Sequence, residues 1–64
     1  MQSILLMPLL NEGTDVWRPV EAEALGNGLF RVTGQAPDDE EWAFPSGATV
    51  VVDGESRIVS KVNF

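Results

Sequence analysis

The chain has 64 residues, with ten acidic against four basic side chains for a formal net charge of −6, and it has neither cysteine nor histidine. A chain of this length forms one domain at most and buries only about 60% of the surface its unfolded form exposes, so its core is thin. The composition rules out disulfides, thiolate-bound zinc and imidazole bases or ligands, and the scattered Arg18, Arg31, Arg57 and Lys61 argue against binding to nucleic acid or an anionic membrane, which need clustered cations.

No apolar run approaches the roughly 20 residues of a membrane span, and Met1, Gln2 and Ser3 lack the positive start of a signal peptide. The expectation is a cytoplasmic protein held by one apolar core.

Ile4, Leu5, Leu6, Met7, Pro8, Leu9 and Leu10 form a continuous apolar run with almost no helix start signal, and its length suits a strand. It lacks the alternation of a half-wet strand, so both faces are expected to be covered. Ile4 and Leu6 would enter the core on one side, with Leu5, Met7 and Leu9 needing cover from the other. Pro8 cannot donate to a ladder, which puts the strand at an edge or at a bulge. An apolar edge invites association. The strand from Ile4 to Leu10 is therefore a candidate homodimer contact, beside the plainer reading of a strand crossing between two halves of a barrel.

Asn11, Glu12, Gly13 and Thr14 read as a turn. Residues 16–25 form the next strand, with Val20 and Ala22 inward and Glu21 and Glu23 outward. A bulge near Pro19 would let Trp17 join Val20 in the core. Gly26, Asn27 and Gly28 supply the positive φ of a tight hairpin. The return strand, residues 29–33, places Phe30 and Val32 on one face. Pro45, Ser46 and Gly47 turn the chain into residues 48–52, whose three valines suit burial on both faces or nearly so. Asp53 and Gly54 signal a second hairpin, and residues 56–63 close the chain with Ile58 inward. No segment carries an apolar stripe of helical period.

Residues 38–53 organise this pattern: an acidic run, Trp42 and Phe44 two apart, a turn and a β-branched strand. Asp38, Asp39, Glu40 and Glu41 are dense enough to suggest acid–base work, but adjacent carboxylates in a loop are usually a solvated face. They also lack the alternating ligands and central glycine of a calcium loop. Ser3, Ser46, Ser56 and Ser60 have no base to activate them. Neither a catalytic residue, a metal site nor a cofactor is expected. Trp17 and Trp42 read first as core or rim packing. With one of them exposed beside the carboxylates, Asp38, Asp39, Glu40, Glu41, Trp42 and Trp17 make a candidate partner-binding surface for a basic or proline-rich peptide. Arg18 is expected to pair with Asp15 or Glu41.

The run Asp-Asp-Glu-Glu-Trp-Ala-Phe-Pro-Ser-Gly at residues 38–47, followed by Val50, resembles the acidic loop and diverging turn of an SH3 domain. It lies mid-chain, and without tyrosine the aromatic peptide groove is missing. The resemblance implies SH3-like barrel architecture and not recognition of proline-rich peptides. More broadly, residues 13–22 with their distinctive run Val16, Trp17, Arg18, Pro19 and Val20, then the glycine hairpin and residues 41–47, are similar to a group of short uncharacterised bacterial proteins, which implies a bacterial origin.

The expected fold is thus all-β, a small SH3-like barrel of about five antiparallel strands in a single domain. The leading expectation for function is a non-catalytic protein-interaction module. The alternatives are a small acidic inhibitor or antitoxin-like protein covering a basic surface of a nucleic-acid enzyme, and an accessory subunit of an enzyme.

Overall fold

A computed structural model describes residues 2–62; Met1, Asn63 and Phe64 lie outside the described residues. Five strands, β1 (Gln2–Pro8), β2 (Trp17–Gly26), β3 (Leu29–Val32), β4 (Thr49–Val52) and β5 (Ile58–Lys61), follow one another, with no helix among the described residues. They pair antiparallel in sequence order within one open sheet. An odd number of up-and-down strands leaves the first and last running the same way. β1 and β5 accordingly meet only in parallel, at an isolated bridge between Leu6 and Arg57, where the Leu6 N–H donates to the Ser56 carbonyl at 2.8 Å. The expected all-β, five-strand pattern is present, but no continuous ladder closes the sheet.

The β1–β2 ladder runs unbroken from Gln2 opposite Glu23 to Pro8 opposite Trp17. Because the Leu6 N–H points away from β2, Leu6 and every second residue of β1 sit in non-hydrogen-bonded pairs with β2. Pro8, opposite Trp17, and Pro19, opposite Leu6, both fall at such positions, where a missing N–H leaves this ladder intact. The bulge expected near Pro19 is therefore absent. Trp17 stays in phase with Pro19 and Glu21 on the outer face instead of joining Val20.

The inner face carries the core of Leu5, Met7, Val20, Ala22, Val32, Ala48, Val50 and Ile58, with Phe30, Trp42, Phe44 and Val52 packed against it. β1 thus buries Leu5, 1% exposed, and Met7, while Ile4 is 59% exposed. The expectation that both faces of this strand are covered holds only in part, because Leu6 is half-buried and Ile4 is open to solvent. The triple valine behaves similarly: Val50 is buried, and Val51 and Val52 are half-buried.

Two register shifts explain two other exposed apolar side chains. Ala24 pairs with Phe30 and Gly26 with Leu29, leaving Leu25 as the extra residue of β2. Val51 pairs with Ser60 and Val52 with Ile58, leaving Val59 as the extra residue of β5. An unpaired bulge residue is pushed out of the ladder, and both side chains are exposed.

The glycine hairpin turns on Asn27 and Gly28, with φ of 56° and 77°, the two positive values that match the twist of the flanking strands. In the second hairpin the left-handed residue is Ser56, with φ of 64°, and not Gly54. Asp53 sets that turn. Its Oδ1 accepts the N–H groups of Glu55 at 2.8 Å and Arg57 at 3.0 Å, and its Oδ2 accepts from Arg57 Nε at 3.0 Å. The two backbone donors, helped by the guanidinium, hold the Asp53 carboxyl below the usual carboxylate range.

Two results test these assignments by chemical denaturation. Leu5→Ala should cost about 2–5 kcal/mol, whereas Ile4→Ser should change stability by no more than about 0.5 kcal/mol; equal losses would mean that β1 is buried on both faces. Ser56→Gly should stabilise the fold by about 0.5 kcal/mol, the relief of left-handed strain exceeding the added chain entropy.

Candidate functional site

β2 is longer than its neighbour on the β3 side. β1 pairs with it from Trp17 to Glu23, but β3 reaches only Ala22, with one further contact as the Glu21 carbonyl accepts the N–H groups of Thr33 and Gly34 at 3.0 and 3.1 Å. The alternation that suits Pro19 to β1 turns its nitrogen toward β3. Another ladder rung there would need an N–H that proline lacks. The chain accordingly leaves β2 at Gly34, passes through the acidic turn, and returns on the far side of β1. There Leu9 bridges to Trp42, the Leu10 N–H donates to the Glu41 carbonyl at 2.8 Å, and the Ala43 N–H donates to the Pro8 carbonyl at 3.0 Å.

Between the unpaired edge of β2 and this excursion lies a cleft of about 400 Å³, lined by Arg18, Pro19, Val20, Glu21, Gly34, Gln35, Pro37 and Trp42. Pro19, Pro37 and the Trp42 indole give it apolar walls. Gly34 lies beside the ring: a Cβ there would meet the Trp42 indole at 3.7 Å and the Glu21 nitrogen at 3.4 Å, ordinary contact distances.

The acidic run does not act as a unit. Asp38 and Asp39 form an exposed turn. Glu40 folds inward, its side chain only 9% exposed. It pairs through Oε2 with Arg18 and accepts the Trp42 indole N–H at 3.1 Å through Oε1. Glu41 points elsewhere, accepting from the Asn11 side-chain amide. Arg18 thus pairs with Glu40, not with the expected Asp15 or Glu41. The Arg18 guanidinium, and then the indole N–H, hold the Glu40 carboxyl below the usual carboxylate range, while Glu40 raises Arg18. Among the described residues no three acidic side chains converge as a cation site.

Of the sequence-derived surface, the structure brings Glu40 and Trp42 together and leaves Trp17 apart. Trp17 is 37% exposed on the outer face, where the Arg57 guanidinium lies 5.5 Å from its ring centre, a cation–π distance. Trp42 is half-buried against the core. Gly34, Gln35 and Pro37 are not singled out by sequence; of the lining residues Trp42 belongs to the sequence-derived surface, and Pro19 is read from sequence only as the place of a bulge. Compared with known proteins, the chain matches no family model, no curated protein and no solved structure. No helix among the described residues is long and apolar enough to cross a membrane.

Acrylamide should quench the single tryptophan of Trp42→Phe more strongly than that of Trp17→Phe; the reverse order would exchange the two environments. Glu40 contributes stability above the usual carboxylate pKa, and that contribution is lost as pH falls through its lowered value. The melting temperature of Glu40→Gln should therefore lie below wild type near neutral pH, with the gap closing as pH falls below the ordinary carboxylate range. A gap that persists there would assign the loss to packing and not to the charge.

Proposed function

We propose that this chain is a non-catalytic protein-interaction module of bacterial type, acting in the cytoplasm, and that it engages a protein partner at the cleft beside β2. One observation carries the reading: a concave surface with proline and tryptophan walls, where one carboxylate, Glu40, both pairs with Arg18 and accepts the tryptophan N–H. Rigid aromatic area beside a few polar groups is the composition of binding hot spots. The reading takes the curled sheet, with β1 and β5 touching at one bridge, as an SH3-like small barrel. It assigns neither nucleic acid nor membrane as a partner. A homodimer through β1 has less room in this reading, because the chain itself occupies that edge at Leu6, Pro8 and Leu10.

A second reading is favoured by the surplus of carboxylates: an acidic inhibitor or antitoxin-like protein lying on the basic surface of a nucleic-acid enzyme. It predicts a broad footprint over the acidic face, not one confined to the cleft. The role of accessory enzyme subunit is compatible with either footprint.

Selection from a random dodecapeptide display library, followed by amide chemical-shift mapping of the enriched peptides, tests the main reading. Shifts should centre on residues 18–21, residues 34–37 and the Trp42 indole. Failure to enrich any peptide, or shifts centred on the outer face around Trp17, would defeat it.

A further inference from the structure

The chemistry of the cleft limits what it accepts. Resting on the reading of the cleft as a protein-binding site, we infer that its occupant is a cationic side chain, arginine or lysine, carried on a segment that does not add to the sheet as a strand.

Strand addition is blocked at the edge itself. Between Trp17 and Glu21 the backbone groups that face the cleft are those that point away from β1. In the middle stands Pro19, which offers a carbonyl and no N–H, and the Glu21 carbonyl already accepts two bonds from Thr33 and Gly34. An incoming strand needs alternating donors and acceptors and meets an edge interrupted at its centre.

The same features suit a donor-rich group. The Pro19 carbonyl and the Glu21 carboxylate are acceptors, and the Trp42 indole N–H is consumed by Glu40. Ammonium and guanidinium groups carry donors only, and their aliphatic stems pack against apolar walls such as Pro19, Pro37 and Trp42.

Charge points the same way. Arg18, the cation at the cleft, is neutralised by Glu40, and Asp39 is near enough for its charge to act on it. Glu23 and Glu55 are engaged by Arg31 and Arg57. Among the described residues Glu21, Asp38 and Asp39 form no ion pair: Glu21 lines the cleft, and the two aspartates form the exposed turn that directly follows the lining residue Pro37 in the chain. Carboxylates without partners around an apolar cleft attract and orient a cation.

Blocked hexapeptides of alternating sequence, Ala-Arg, Ala-Lys, Ala-Ser and Ala-Glu three times repeated, titrated into the whole chain and followed by amide shifts, test this. The Arg and Lys peptides should shift residues 18–21 and the Trp42 indole, and bind at least about tenfold more weakly when salt rises from about 50 to about 300 mM. The double variant Glu21→Gln, Asp39→Asn should weaken them by about fivefold or more with its melting curve unchanged. Equal binding of the Ser peptide, or cleft binders from the display library that are neutral or acidic, would overturn the cationic occupant while leaving the interaction module standing. Cationic peptides that shift the acidic residues of the whole surface alike, without focus at the cleft, would overturn it as charge attraction only. Peptide-backbone protection from hydrogen exchange against the β2 edge would overturn the exclusion of strand addition.

Discussion

One absent hydrogen-bond donor arranges much of this molecule. Pro19 sits in β2 with its nitrogen turned from β1 toward the line that β3 would follow. On the β1 side nothing is lost, and that ladder runs through it. On the other side pairing stops at Glu21, and the chain must leave the sheet. The excursion that follows carries the acidic turn outward and brings Trp42 back against Leu9. The cleft is the space between the edge that proline leaves unpaired and the segment that had to go round it.

The same excursion resolves a second problem. β1 is apolar and lies at the edge of the sheet, a template for unwanted pairing. Residues 41–43 and the Ser56 carbonyl use its outward groups at Leu6, Pro8 and Leu10. Pro8 assists because it presents only its carbonyl there. The remaining apolar exposure has local causes: Leu25 and Val59 are the extra residues of two bulges, and Ile4 follows from the phase that buries Leu5 and Met7.

Electrostatics then adjusts what topology built. Few cations are present, and three of them close ion pairs: Arg18 with Glu40, Arg31 with its cross-strand neighbour Glu23, and Arg57 with Asp53 and Glu55. The first joins two elements far apart in sequence and orients the indole on the way. The third steadies the turn whose backbone touches β1, and it extends a guanidinium over Trp17. The unpaired carboxylates left over give the surface its negative character.

The sequence by itself determined what depends on neighbours along the chain. Alternation placed Val20 and Ala22 inward, Gly26, Asn27 and Gly28 declared a hairpin through their tolerance of positive φ, and the absence of any helical period marked the chain as all-β. Only the tertiary structure decided what depends on neighbours across the sheet. The face on which Ile4 and Trp17 lie follows from β1–β2 register, which a uniformly apolar strand does not encode because slipping by one residue looks equally hydrophobic. The partner of Arg18 follows from where a long loop returns. Whether the five strands close into a barrel depends on the meeting of β1 and β5, and their single parallel bridge leaves the sheet open. Periodicity reads off local phase, whereas register, edge contacts and clefts arise from elements brought together by folding, and no spacing along this chain records them.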